Sequence, residues 1–340
     1  MSGAVAAVVT YGRMIKFSHS IFALPFALSG ALLAARGSGI TAGQIGWIVL
    51  AMVVARSAAM GVNRLADRNL DAANPRTRGR ELPAGRVSPN AVVALVAGSS
   101  ALLIFAASQL NPLCLYLAPA VLLVLLGYSL TKRFTWLSHV VLGACLGGAP
   151  LGAWIAVAGE FALVPIVLGL AVVTWVAGFD IIYACQDAEF DREAGLHSIP
   201  ARFGIGLALF VARGLHVVAV GVMVLVGQMA GLGVVYMAGV VVVAGLLLWE
   251  HRLVRADDLS RLDMAFFTMN GIISVVFFGF LAGDVFLVGE GVGVRQPSGR
   301  RFTVVSRSSR RSINREVSRE AVRESGLKTN RERSHSTRAL

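Results

Sequence analysis

Residues 44–71 read QIGWIVLAMVVARSAAMGVNRLADRNLD, and a switch of character within this stretch decides how the chain is built. From Gln44 to Val62 the only charge is Arg56, and nearly everything else is apolar or small. A helix needs roughly 20 such residues to cross the hydrocarbon of a bilayer, where no water satisfies the backbone. Past Val62, Asn63, Asp67 and Asp71 follow at intervals of four. On a helix that continues beyond the membrane, that spacing stacks the three side chains along one face. A spanning helix thus delivers a row of oxygen ligands to its own end.

The rest of the chain has the same character. Its 340 residues are 56% hydrophobic and only 15% charged, with a mean hydropathy of +0.71. That balance suits lipid as the solvent. Further apolar runs predict spans near Ser18–Ala35, Ala91–Ser108, Pro112–Leu130, Ser138–Ala158 and Leu163–Ala184. Three more are expected near Val211–Gly227, Ala230–Trp249 and Met264–Val288, with Arg213 and His216 weakening the start of the first of these. The expected fold is all-α, a polytopic membrane bundle of about nine helices. Its central cavity is expected to open to the cytoplasmic side and to lipid.

Lysine and arginine collect at Arg13 and Lys16 and in the even-numbered connections, including Arg68, Arg76, Arg78, Arg80, Lys132, Arg133, Arg192 and Arg255. By the positive-inside rule those connections and the N-terminus are cytoplasmic. Nine spans then put the basic C-terminal tail outside, although much of that tail is far from any helix end. The net charge of +12 is not a nucleic-acid signal, because Gly291–Leu340 alone holds 13 Lys/Arg against 4 Asp/Glu. This Ser/Arg-rich segment cannot bury a core and is expected to be disordered, separate from a transmembrane domain over residues 1–290. Its charge suits anionic lipid, and a solvated extension without function explains it equally well. Cys114, Cys145 and Cys185 lack metal-ligand spacing and read as small buried hydrophobes. In the fifth span, Gly143, Gly147, Gly148 and Gly152, with Pro150 between, predict close helix packing, or else a kink beside a cavity.

A second acidic cluster repeats the spacing of the first. Asp187 and Asp191 lie where the sixth span ends, with Asp180 two turns earlier. Both host spans are even-numbered, so both clusters emerge on one side of the membrane. Carboxylates beside hydrocarbon are costly unless paired, hydrated or bound to a cation, and several converging on one cavity repel each other. Magnesium relieves that repulsion, since it takes one or two carboxylates together with phosphate oxygens and water. Either cluster alone reads as an ordinary solvated acidic loop; the two together predict a Mg2+ and diphosphate site. Lys132 and Arg133, beside Tyr128, are placed to neutralise a departing diphosphate, with Arg68, Arg78 and Arg80 as weaker candidates. Topology alone accounts for most of these cations.

At these residues the chain resembles the UbiA superfamily of membrane prenyltransferases. The run Arg56–Thr77, containing Asn63, Asp67, Asp71, Asn74 and Pro75 and followed by Leu82-Pro-Ala-Gly85, is similar to that family's first motif. Gly178–Asp191 and Ser198–Gly204 resemble its second motif, and Tyr128–Thr135 also fits. Asn63-Arg64 at the head of the first motif, with Lys16–Leu28, is similar to the branch using 4-hydroxybenzoate or a futalosine-route menaquinone precursor.

The resemblance implies transfer of a polyprenyl group from polyprenyl diphosphate to a small aromatic acid in quinone synthesis. It implies one Mg2+ on Asn63, Asp67 and Asp71 and another on Asp187 and Asp191. Arg13 and Lys16 are candidates for the acceptor carboxylate, or mark topology alone. His19 either touches the acceptor or lines the bundle. Asp180 positions the neighbourhood of Asp187 or the acceptor hydroxyl, or is a buried partner for an arginine. A transporter is the main alternative, but it calls for acidic residues at mid-depth in broken helices. A lipid-binding scaffold rests on the tail alone.

Overall fold

The computed structural model describes residues 10–15, 20–287, 293–295 and 301–303, with side chains described for 10–15 and 22–287. Nine long apolar helices fill this range: α1 (Ser20–Ser38), α2 (Ala42–Ala66), α3 (Pro89–Leu110), α4 (Pro112–Gly127), α5 (Ser138–Ala158), α6 (Leu163–Ala184), α7 (Ile205–Met229), α8 (Val234–Leu253) and α9 (Asn270–Leu287). Taken with their adjoining turns, α2 to α9 are long and apolar enough to cross a membrane, and α1 is a shorter apolar helix. The protein is a multi-pass membrane protein. From the tail, Gly293–Arg295 and Arg301–Thr303 pair as a short antiparallel ladder; the expected disorder of the remaining tail falls outside the described residues.

Local sequence fixes the helix starts. Thr41 caps α2 through a reciprocal capping box with Gln44, which satisfies two of the backbone donors that a helix start leaves over. Ser88 and Asn111 cap α3 and α4, each followed by proline at the first helical position, where proline's missing N–H costs nothing. The cap of α8 comes from a distant helix. Asp284 of α9 accepts hydrogen bonds from Gly233 N (2.7 Å) and Tyr236 N (3.1 Å). A carboxylate at a helix N-terminus is favoured by the helix dipole, which accounts for the burial of Asp284. The seventh helix starts at Ile205, earlier than expected from the sequence. His216 is buried inside it, with Nε2 3.2 Å from Trp175 O and Nδ1 3.0 Å from His251 Nε2.

Helices α1, α5, α6, α7, α8 and α9 pack in a closed ring, and α2, α3 and α4 form a layer beside α5. Phe26 of α1 meets Trp175 of α6 at 5.0 Å and Phe277 of α9 at 4.9 Å between ring centroids, filling the ring's centre. The glycines of α5 divide into two groups. A Cβ on Gly147 would lie 2.6 Å from Gly169 O, and one on Gly143 2.5 Å from Val173 O, so these two bring α5 against the backbone of α6. Gly148 and Gly152 face open space and line the cavity between the two helix groups.

Gly147→Leu should therefore lower the Tm of the detergent-solubilised protein, overpacking of this kind costing about 1–3 kcal/mol. Gly148→Ala should leave the Tm unchanged in the same measurement.

Candidate active site

A cavity of about 760 Å³ lies between α2–α4 and α5–α6. Its lining runs along α2 from Ile48 to Asp67 and beyond, a depth of more than about 25 Å at helical rise. One end is apolar, lined by Ile48, Leu110, Cys114 and Ala156. The other holds Asn63, Asp67, Asp71, Asp187, Asp191 and Lys132. The outer wall is α4, the least buried of the spans. The two acidic motifs, more than a hundred residues apart in sequence, thus open onto one space.

Both motifs break their helices in the same way. The long helix α2 stops at Ala66, Asp67 adopts φ −93° and ψ 5°, and a short helical turn follows over Arg68–Ala73. After α6, Asp187 adopts φ −106° and ψ 4° before the turn Ala188–Glu193. These values lie in the sparsely used bridge region where active-site residues recur. The expected continuous helix is therefore interrupted at the first aspartate of each pair, yet the spacing of four still aligns the side chains. Asn63 Nδ2 donates to Asp67 Oδ2 at 3.2 Å.

Asp67, Asp71 and Asp187 each meet cations. Lys132 Nζ donates to Asp67 Oδ2 at 2.6 Å, and Arg133 Nη2 lies 3.6 Å from Asp67 Oδ1. Arg80 Nη1 pairs with Asp71 at 2.7 Å, with the buried Arg64 3.9 Å from the other oxygen. Arg76 grips Asp187 with Nε at 2.8 Å and through Nη2, and Asn74 donates to the same carboxylate at 3.0 Å. Burial alone would lower the pKa of Arg76, but the hydrogen bonds and charge of Asp187 raise it instead. Asp191 is hydrogen-bonded to Ser198. The 74–87 loop lies over the site, held by Arg76 and by Leu82 and Val87, which pack against Met14 and Val92.

Among the described residues, no three His, Cys, Asp or Glu side chains stand close enough to hold a metal unaided. The donor set still fits magnesium. Asp67 Oδ1 and Asp71 Oδ2 are buried acceptors without a hydrogen-bond partner, and Mg2+ completes its shell with phosphate and water.

Several expected residues lie elsewhere. Arg13, Arg68 and Arg78 are exposed and do not line the cavity. Arg68 follows Asp67 by one residue, about 100° round the turn, and so points away from the cavity, and Arg76 and Arg80 take the positions beside the carboxylates. Arg133 sits at the rim, donating to Ala66 O. Lys16 and His19 fall outside the described residues. Tyr128 and Asp180 line the cavity as expected, but the partner of Asp180 is a histidine, not an arginine: His139 Nδ1 stands 2.7 Å from Asp180 Oδ2. Arg56 also lines the cavity, two turns of α2 below Asn63. Its charge inside an otherwise apolar span is the signal in the sequence that marks it. His139, one isolated histidine at the start of a span, gave none.

The model of the UbiA prenyltransferase family matches residues 23–272. The chain belongs to this family. The match runs from α1 into α9 and includes every span that lines the cavity. The 4-hydroxybenzoate octaprenyltransferase of Methylobacillus flagellatus is 33% identical over 235 residues, 69% of this chain and 79% of that protein. The apo structure of a UbiA homolog from Aeropyrum pernix K1 superposes with a TM-score of 0.72 at 34% identity, covering 78% of this chain and 98% of the homolog. A UbiA homolog from Archaeoglobus fulgidus, bound to DMAPP and Mg2+, shares the fold at a TM-score of 0.63 and 20% identity, covering 81% and 98%.

If Arg76 and Asn74 hold the UbiA-type loop through Asp187, then Asp187→Asn should loosen it. Limited trypsin digestion should cut after Arg76, Arg78 or Arg80 several-fold faster than in the wild type, with cleavage elsewhere unchanged.

Proposed function

We propose that this protein transfers a polyprenyl group from its diphosphate to a phenolic aromatic acid, as 4-hydroxybenzoate octaprenyltransferases do, in the synthesis of a membrane quinone. The observation that carries this is one cavity with an acidic, cation-bordered mouth and an apolar shaft. A polyprenyl diphosphate has the same division, a charged head and a long hydrocarbon tail. On this reading Asn63, Asp67 and Asp71 hold one Mg2+ and Asp187 and Asp191 another, the ion found with DMAPP in the Archaeoglobus homolog. Bound magnesium supplies Lewis-acid polarisation of the diphosphate oxygens.

The chain's own residues do the remaining work. Lys132, Arg76 and Arg80, now paired with the metal-binding carboxylates, are within reach of a diphosphate at the same place. As its charge grows on departure, their N–H donors bind its oxygens. The 74–87 loop excludes water that would otherwise capture the allylic cation. Arg56 lies about 10 Å below Asn63 along α2 and pairs with the acceptor's carboxylate, in place of the exposed Arg13. The prenyl tail lies along Ala144, Gly148 and Gly152 of α5 and leaves toward lipid beside α4. The active site faces the cytoplasm, as the arginine-rich even-numbered connections support, in the cell's inner membrane. A transporter fits less well, because the carboxylates sit at helix ends on one side and not at mid-depth.

Asp67→Ala and Asp191→Ala should each abolish prenyl transfer in washed membranes given prenyl diphosphate, 4-hydroxybenzoate and Mg2+, while inserting normally. Retained turnover would refute their roles. Gly152→Phe, which fills the shaft, should cut turnover of a long prenyl diphosphate at least tenfold while sparing geranyl diphosphate, as read by product mass spectrometry.

A further inference from the structure

Arg76 has a second partner at the cavity mouth besides Asp187. Its Nη1 donates to the Tyr183 hydroxyl at 3.3 Å, and its guanidinium carbon lies 5.5 Å from the centroid of that ring. A guanidinium over an aromatic face is attracted by the ring's quadrupole, most strongly where water is scarce. Tyr183 lines the cavity near the end of α6, one turn before Asp187.

The tyrosine ring is held from behind. Phe266 stacks on it with 4.0 Å between centroids and 29° between planes, and Phe267 meets it edge-on at 5.9 Å. Phe266 also packs against Phe22 of α1 at 5.8 Å and Phe179 of α6 at 5.4 Å. Both phenylalanines belong to a π-helical turn, Met264–Met269, that leads into α9. Such turns disturb the α-helical pairing of backbone carbonyls and recur at functional sites. Here the buried Asn270 supplies the donor. Its Nδ2 stands 3.2 Å from Ala265 O, 3.1 Å from Phe266 O and 3.3 Å from Oε1 of the buried Glu250. A brace thus runs from α8 through the start of α9 to Tyr183.

From this arrangement we infer that Tyr183 is a positioning residue, which keeps Arg76 over the cavity mouth once Asp187 is engaged by metal and diphosphate. The inference rests on the proposed prenyl transfer, in which Asp187 is a metal ligand and Arg76 binds the departing diphosphate. The Arg76 side chain is 33% exposed, so an arginine released by its carboxylate has water to swing into, and the 74–87 loop would go with it. The Tyr183 hydroxyl takes one of the five guanidinium N–H groups and leaves the others for phosphate oxygens. A ring face and a hydroxyl also bind a guanidinium more weakly than a carboxylate does, so they hold it in place without competing with the diphosphate.

The test uses the purified full chain in detergent. In metal-free buffer, limited trypsin digestion after Arg76 reads how often the loop opens. Tyr183→Leu alone should hardly change that cleavage, because Asp187 still holds the arginine. In the Asp187→Asn background, Tyr183→Leu should speed it several-fold further, whereas Tyr183→Phe, which keeps the ring, should have a much smaller effect. With geranyl diphosphate, Mg2+ and 4-hydroxybenzoate, Tyr183→Leu should lower kcat about tenfold, the scale of one partly desolvated cation–π contact. The share of geranyl diphosphate hydrolysed to geraniol should rise, and KM for 4-hydroxybenzoate should not change. Arg76→Ala/Tyr183→Leu should be no slower than Arg76→Ala, since the second change acts only through the arginine. Losses that multiply, a raised KM for 4-hydroxybenzoate, or equal loosening of the loop with and without Asp187 would overturn the inference and leave prenyl transfer intact. If Arg76→Ala turns over too slowly to measure, the digestion decides. Should Tyr183→Leu fail to fold, Phe266→Leu, which removes the backing ring, takes its place with the same expected pattern. A wild-type protein that prenylates no phenolic acid would remove the proposed function and, with it, this role of Tyr183.

Discussion

A carboxylate at the edge of hydrocarbon must be neutralised, and that requirement organises the charged end of this bundle. The Asp67 and Asp71 side chains are only 3% and 8% exposed, so neither can rely on water. Lys132 reaches Asp67 across 65 residues of sequence, and Arg76 reaches Asp187 across 111. The pairs that neutralise charge therefore also join α2, the turn after α4 and the end of α6. Removing one partner of a buried pair leaves an uncompensated charge, at a cost of about 3–5 kcal/mol. The same pairs can exchange partners. A carboxylate that accepts an ammonium or guanidinium also accepts a divalent ion, and a cation so displaced finds phosphate oxygens nearby. On the proposed function, stability without substrate and affinity for the diphosphate come from one set of side chains.

The helix breaks at Asp67 and Asp187 extend this economy. Two segments with different neighbours adopt nearly the same φ and ψ at the first aspartate of each motif. Each break turns a short helix across the cavity mouth and sets its second aspartate beside the first. The loops that follow carry asparagine, arginine and serine ligands back onto those carboxylates. Away from the paired aspartates the cavity's polar groups thin out to Arg56, Tyr128, His139 and Asp180, and the rest of the wall is apolar. This gradient suits a substrate that enters head first from the interface and keeps its tail in lipid-like surroundings.

Much of this was legible in the sequence, because lipid imposes strong rules. A run such as Leu163–Ala184 has no stable option in hydrocarbon except a helix, and its bounds are those of α6. Matched four-residue spacings and one-sided topology put Asp67, Asp71, Asp187 and Asp191 on the same cavity. What sequence could not supply was direction within loops. Arg68, Arg76, Arg78 and Arg80 look alike as letters, and only the fold sends Arg76 and Arg80 inward. A lone histidine carries no pattern, so the contact of His139 with Asp180 was invisible. Arg213 and His216 weaken the expected start of α7, since a buried histidine partnered by His251 of the next helix has no hydropathy signature. The glycines of α5 read correctly as packing residues only for Gly143 and Gly147, because nothing in their spacing tells a packed face from a cavity face.

On the proposed function, two distant helix ends form a single ligand site for metal-bound diphosphate. Calorimetric titration of the purified chain with geranyl thiodiphosphate, a slowly ionising analogue, addresses it without relying on turnover. Wild type should bind the analogue only when Mg2+ is present, and Asp71→Asn on one helix end and Asp187→Asn on the other should each weaken binding at least tenfold. Undiminished Mg2+-dependent binding in either variant would mean that its helix end takes no part in the site, and would contradict the account.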